Sequence, residues 1–288
     1  MGAFYKKELR AYFSNFTGYL VIAFMLAVIG IFSVSVNFTG RYPNFEYSLD
    51  SISFVLLFVI PILTMRSISE ERNQKTDTLL YSLPVSMTKI VLGKYFAMMT
   101  VMALPIAFMC VYPLILSLYG TVSLSTAYSS ILAFYLLTAA LVAIGLFMSS
   151  LTENPIISAV LGFGALLFIN LMTGLAEMVP ATPIASFIAI AALLAAIGFL
   201  IYSMTKNYWL SLISAFAAIF AVLIFYLNDN SAFYGLFAKI INSLSIFDKL
   251  NIFIFSGIFD LTAAVYFITV AALFVFFTVL SMDKRRWN

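Results

Sequence analysis

The sequence predicts an all-α integral membrane protein with about eight transmembrane helices, and three observations carry that expectation. Hydrophobic residues make up 64% of the 288 and charged residues only 9%, whereas a soluble domain carries about a quarter charged residues. The mean hydropathy is +1.08. The apolar residues also gather in runs long enough to cross about 30 Å of hydrocarbon at about 1.5 Å per residue.

In chain order the runs are Thr17 to Val36, Ser51 to Met65, Val91 to Leu118, Thr126 to Ser149, Pro155 to Leu175, Ile184 to Met204, Tyr208 to Leu227 and Leu261 to Ser281. The second is short and must borrow Tyr47 to Asp50 to span. The third contains Pro105 and Pro113 and is expected to kink, with neighbours satisfying the freed carbonyls. Positive charge is retained on the cytoplasmic side of such helices. With the N-terminus inside, Lys6, Lys7, Arg10, Arg66, Arg72, Lys75, Lys89, Lys94, Lys206, Lys284, Arg285 and Arg286 are cytoplasmic, and only Arg41, Lys239 and Lys249 lie outside. Eight spans with both termini cytoplasmic therefore fit better than the inverted arrangement.

Residues 3–13 form an expected interfacial helix. Tyr5, Leu9, Tyr12 and Phe13 recur at helical spacing, and Lys6, Lys7 and Arg10 stand between them. The first apolar run is longer than the core of a signal peptide, and its removal would unbalance the topology, so it is expected to remain as a helix.

The composition excludes several chemistries. With no histidine, neither a Ser-His-Asp arrangement nor imidazole ligation of a metal can form, and the single cysteine, Cys110, has no disulfide partner in the chain. No metal site and no catalytic residue are expected. Every acidic residue falls in a loop or at a span end, so no lysine or carboxylate is expected inside a span to mark an ion pathway. Glu70 and Glu71 are adjacent, and adjacent helical positions diverge by about 100°.

The sizeable inward loop is 66–90. Thr76 can open a short helix, Asp77 suits its first turn and Pro84 stops it, leaving Leu79, Leu80 and Leu83 on one side with Glu70, Glu71, Arg72 and Lys75 upstream. Such a peg suits docking into a groove on a soluble partner, or alternatively rests on lipid headgroups.

The segment Ile68 to Ala97, ISEERNQKTDTLLYSLPVSMTKIVLGKYFA, resembles the signature of type-2 ABC transporter permeases. The C-terminal FDLTAAVYFITVAALFVFFTVLSMDKRRW, Phe259 to Trp287, is similar to the last helix of the gliding-motility-type subgroup, and KKELRAYF before the first span agrees. Many members have six spans, so residues 184–227 read as an inserted helical hairpin. The resemblance implies a permease subunit, with Glu70, Glu71, Arg72, Thr76, Leu79, Leu80, Leu83 and Pro84 forming a coupling helix docked on an ABC ATP-binding subunit. It implies two ATP-binding copies that hold the ATP and Mg. It also implies a second permease chain, identical or homologous, and no cofactor or nucleic acid in this chain. A bacterial cytoplasmic membrane and export of a hydrophobic or amphipathic substrate follow from the same likeness. Consistent with that division of labour, no G-x-x-x-x-G-K-[ST] phosphate loop is present, and Gly93-Lys94 lacks the upstream glycine and the following hydroxyl.

Residues 228–260 are too polar for another span, yet Phe233, Leu236, Phe237, Ile240, Ile241 and Leu244 keep helical spacing. An outward-side amphipathic helix is expected there, and a second helix or re-entrant turn at Ile252 to Ile258. By resemblance Phe233, Phe237, Ile240 and Ile241 are gate candidates; the alternative is a helix lying on the outer leaflet. A rival function from another class is a structural or sensor subunit whose loop recruits a soluble factor without transport.

Overall fold

The computed structural model describes residues 2–76, 85–205, 208–256 and 259–286. Among them every regular element is helical. The chain divides into two compact units, one comprising residues 1–168 and 246–288 and the other residues 169–245.

The first unit begins with α1 (Gly2–Ser14) and α2 (Phe16–Phe32), the latter continued by a π-helical turn, Ser33–Thr39. Helix α2 buries Gly18, Val21, Met25 and Ile29, a single stripe, and turns Phe16, Tyr19, Phe24 and Ile31 outward. This is the pattern of a helix packed on one side and lipid-exposed on the other. Helix α3 (Glu46–Thr64) begins at Glu46, so the short second run does extend through Tyr47 to Asp50, and α4 (Ser69–Asn73) follows after a turn.

The expected kink appears as a break: α5 (Met87–Met109) stops at Cys110 and α6 (Val111–Ser117) continues. Pro113 cannot donate to the carbonyl four residues back. At the break itself the Cys110 N–H bonds Ala107 O, three residues back, at 3.2 Å, a tighter turn.

Helix α7 (Leu124–Leu151) is the axis of the unit. It is flanked by α3, α5, α12 (Ile246–Ser256) and α13 (Leu261–Arg286). Its buried face is rich in Ala133, Ala140, Ala143, Gly145, Ser130 and Ser149, because helices in lipid associate by close packing of small residues rather than by expelling water. At Gly145 a Cβ would lie 2.5 Å from Thr64 Oγ1, so only glycine lets α3 approach this closely. Helix α8 (Pro155–Glu177) leaves the bundle after a short turn and meets α3 where Phe163 packs on Phe58, ring centroids 5.0 Å apart.

Six helical segments are long and apolar enough to cross a membrane among the described residues: Phe16–Thr39, Glu46–Asn73, Met87–Ser117, Leu124–Leu151, Pro155–Glu177 and Leu261–Arg285.

In the second unit α9 (Pro183–Thr205) and α10 (Tyr208–Asn228) pair as a hairpin at the positions of the sixth and seventh predicted runs, and Phe187 packs on Tyr226 at 5.1 Å. The apolar stretches found within them are the shorter Pro183–Ala196 and Ala215–Asn228. The amphipathic helix expected from Phe233 onward is interrupted. A 3-10 turn, Ser231–Phe233, is followed by Gly235 at φ +63, and only then does α11 (Leu236–Leu244) begin. The left-handed conformation at Gly235 costs a glycine little and interrupts the helical run. Phe233 is thereby taken off α11 and buried against Phe225, Tyr226 and Phe187. Of the other gate candidates, Ile241 is buried, Ile240 exposed and Phe237 intermediate. The second helix of this region, α12, starts at Ile246 rather than near Ile252 and belongs to the first unit.

Candidate functional site

One end of the first unit gathers α1, α4, the start of α5, the α7–α8 turn and the end of α13, and with them most of its charge. The arrangement starts from α1. Its basic residues Lys6, Lys7 and Arg10 are exposed, whereas Glu8 is buried. Glu8 stands three residues after Tyr5 and four before Tyr12, so it shares their face, which packs along α5. The approach is close: a Cβ on Gly93 would lie 3.2 Å from Phe4 Cβ and 3.3 Å from the Tyr5 nitrogen. Tyr5 adds a hydroxyl contact to Thr100 Oγ1 at 2.9 Å.

The residue after that glycine is Lys94, 1% exposed although it lies in the second turn of a membrane-length helix. Its ammonium donates to Glu8 Oε1 at 3.2 Å, to Glu71 Oε1 at 2.8 Å and to the Ser67 carbonyl at 2.8 Å. A buried ammonium has three donors to place, and all three are placed. The expectation that no lysine is buried within a span therefore fails at Lys94. The Gly93-Lys94 pair, inert as a phosphate loop, instead lets α1 approach and then pins it. Tyr12 closes the same region: its hydroxyl donates to Leu63 O at 3.3 Å, and burial, with Glu8 adding to it, holds the phenol above its ordinary range.

Helix α4 is fastened on its other side to α7. Ser149 Oγ accepts the N–H groups of Ile68 and Ser69, each at 3.2 Å, which are orphan donors of a helix start. Arg72, 4% exposed, donates to the Ser150 carbonyl in the last turn of α7, and Ser281 of α13 donates to the same oxygen at 3.3 Å. Arg285 meets Glu153 at 2.8 Å on the surface. Glu71 and Arg72 are adjacent, and their roughly 100° divergence sends one to α5 and the other to α7.

At its far end α4 closes with a left-handed residue, Lys75 at φ +55. The Lys75 N–H bonds Arg72 O at 3.0 Å and the Thr76 N–H bonds Glu71 O at 2.9 Å, the pair of bonds that defines a Schellman terminus. The Thr76 hydroxyl also donates back to Glu71 O at 3.1 Å. Thr76 thus seals the helix before it; the helix it was expected to open, with Leu79, Leu80, Leu83 and Pro84, lies outside the described residues. The expected charged shoulder is redistributed. Glu71 and Arg72 turn into the bundle, and Glu70 stays at the edge, 3.5 Å from Gln74.

The partners that sequence reasoning missed are Lys94, Glu8, Ser149 and Ser150. A signal for Glu8 was present, namely a carboxylate on the apolar face of an amphipathic helix, which demands a cation opposite.

A family model described as ABC-2 family transporter protein matches residues 37–188, more than half of the chain. The chain belongs to the ABC-2 transporter family. No curated protein and no solved structure matches it. ABC-2 permeases are membrane transport subunits, generally without an ATPase site of their own, and the family implies an ATP-binding partner. In this permease the match spans α3 through the first turns of α9, and so includes α4, Lys94 and the anchoring end of α7.

Proposed function

We propose that this permease is the membrane-spanning half of an ATP-driven exporter of a hydrophobic or amphipathic substrate. A separate ABC ATP-binding subunit docks on the loop 66–90. The loop faces the cytoplasm of a bacterial cell, both termini lie on the same side of the inner membrane, and α9 and α10 complete eight spans. Two permease chains, identical or homologous, work with two ATP-binding chains. Residues 184–227 form a hairpin added to the six-span plan, in keeping with a family match that ends at residue 188. The outward-side segment 228–260, with Phe233, Phe237, Ile240 and Ile241, gates the exit.

One observation carries the docking assignment. The stem of the loop, α4, is tied to two helices at once, to α5 through Lys94 and to α7 through Ser149 and Arg72, so the peg that follows it springs from a fixed base. A loop that merely rested on lipid would need no such footing.

The test is co-purification with the ATP-hydrolysing chain after Leu79→Asp together with Leu83→Asp. Loss of the partner with the permease still folded is expected; undiminished retention overturns the docking assignment. Thiol labelling of Lys206→Cys and Gly120→Cys in a Cys110→Ser background tests the topology. The first should react only from the cytoplasmic side and the second only from outside.

A further inference from the structure

Helix α1 carries three cations, Lys6, Lys7 and Arg10, and one acid, and the acid is spent: Glu8 turns into the bundle and pairs with Lys94. Lys7 reaches back toward Glu8 and Glu71, at 3.5 and 3.8 Å. Lys6 and Arg10 are exposed and, among the described residues, take part in no ion pair. They stand four residues apart, so they share one face of the helix. At about 100° per residue, the order around α1 runs Leu9, Phe13, Lys6, Arg10, Ser14, Lys7. On one side of the Lys6 and Arg10 pair lie the half-buried Leu9 and Phe13, and on the other the exposed Ser14 and Lys7. The pair therefore marks the seam between an apolar edge and a water-facing edge.

The apolar edge continues into the membrane. The ring of Phe13 meets that of Tyr19 in α2 edge-on, centroids 5.6 Å apart, and only Asn15 separates the two helices. Helix α2 opens a membrane-length segment, and Phe16, Tyr19 and Leu20 in its first turns are exposed. That face is bounded by acyl chains, so the edge of α1 continuous with it lies where chains give way to headgroups. A soluble partner approaching from the cytoplasm meets the Ser14 and Lys7 side instead.

We propose that Lys6 and Arg10 bind the headgroup phosphates of acidic phospholipids in the leaflet around the start of α2. This goes beyond the docking role proposed for the loop and does not depend on it. Leu9 and Phe13 rest against the chains, and the two cations extend their apolar stems along that edge to reach the phosphates. The guanidinium of Arg10 offers a planar fork to phosphate oxygens, and Lys6 adds a second charge one turn away. With Glu8 withdrawn into the bundle, α1 presents no carboxylate to repel the lipid. The lipid grips the outer face of α1 while the Lys94 cluster grips the inner one.

The experiment places the permease in nanodiscs of phosphatidylcholine alone and of an equal mixture with phosphatidylglycerol, and follows amide exchange in residues 2–14. Both leaflets of a disc have one composition, so the readout is independent of topology in the cell. One cation at an acidic surface is worth about fivefold, so the mixture should slow exchange in α1 about 25-fold at low salt. The gain should shrink as salt rises, because the Debye length falls to about 3 Å at 1 M. Lys6→Gln with Arg10→Gln should bring the two discs to within about twofold of each other. In phosphatidylcholine that pair should exchange as wild type, which shows that α1 still folds. The charge-keeping pair Lys6→Arg, Arg10→Lys should retain the wild-type response. Inorganic phosphate added to phosphatidylcholine discs should leave exchange unchanged, because the seam takes phosphate presented by the bilayer; protection by free phosphate overturns the lipid assignment. Equal exchange of wild type in the two discs overturns it as well, and so does a glutamine pair that responds to phosphatidylglycerol as strongly as wild type. If wild type ignores the lipid and the glutamine pair loses the co-purifying ATP-hydrolysing chain, Lys6 and Arg10 belong to that partner instead and the proposal fails.

Discussion

Replacing Lys94 with methionine keeps most of the side-chain volume and deletes one charge. In the folded permease that charge sits 2.8 Å from Glu71 and 3.2 Å from Glu8, with side-chain exposures of 2%, 19% and 10%, so solvent screening is slight. Lys94→Met leaves two carboxylates facing one another, since both oxygens lay within hydrogen-bond reach of the same nitrogen, with only the half-exposed Lys7 at 3.5 and 3.8 Å as a remaining cation. It also strips the Ser67 carbonyl of its donor. Removing one partner from a buried ion pair costs about 3–5 kcal/mol. The loss should fall on α1, which is held to α5 by this cluster, by packing at Gly93 and by the Tyr5–Thr100 hydroxyl pair. At about 1.4 kcal/mol per tenfold, amide exchange in residues 2–14 should accelerate between about a hundredfold and a few thousandfold. The amides of α7 should exchange as in wild type. The triple variant Lys94→Met, Glu8→Gln, Glu71→Gln removes all three charges together and should regain most of the loss, because a neutral cluster of similar shape carries no unpaired buried charge. Wild-type exchange in α1 of Lys94→Met would refute the assigned role, and so would a triple variant no better than the single one.

Gly145→Ala places a methyl group 2.5 Å from Thr64 Oγ1 and should destabilise the α3–α7 contact by about 1–3 kcal/mol, read as a lower apparent Tm; Gly164→Ala, with open space around it, should be neutral or mildly stabilising. Asn37→Ala removes bonds from Nδ2 to Tyr42 O and Asn44 O, both 2.9 Å, and the 2.6 Å bond from Ser48 to Oδ1. With Asn37 only 4% exposed, that should cost about 2–4 kcal/mol and show as faster proteolysis in residues 40–45. Arg285→Gln breaks an ion pair whose members are 39% and 68% exposed and should change stability by less than about 1 kcal/mol, although its 2.8 Å separation equals that of Lys94 and Glu71.

Much of the fold was legible because run length and hydropathy are local properties. Six of the eight expected spans, the extension of α3 back to Glu46 and the interruption near Pro113 all follow from a dozen neighbouring residues. The exposed Lys6, Lys7 and Arg10 followed from helical spacing alone. The interruption before α11 was missed because the hydrophobic period runs unbroken from Phe233 to Leu244, and one glycine at positive φ decides against it. Thr76 was expected to open a helix because threonine next to aspartate favours that role. That Thr76 closes α4 was not foreseen, because the left-handed Lys75 just before it has no glycine or asparagine to announce it.

Lys94 was the least legible residue, and the reason is physical. A lysine near the start of a span on the basic side normally extends its stem and leaves its charge among the headgroups, and the sequence offers no sign that this one does otherwise. Its burial depends on Glu8 and Glu71, 86 and 23 residues away. Together these contacts give the cluster a mechanical consequence. Helix α4 is five residues long, too short to bend, and it is gripped by α5 through Glu71, by α7 through Ser149 and Arg72, and sealed at Thr76. On the docking role proposed for the loop, a force delivered to α4 reaches α1, α5 and α7 together. It can displace α4 only by carrying those helices with it or by breaking a buried ion pair. The second path costs about 3–5 kcal/mol, so displacements that leave the pair intact are favoured, and α1, α5 and α7 move with α4.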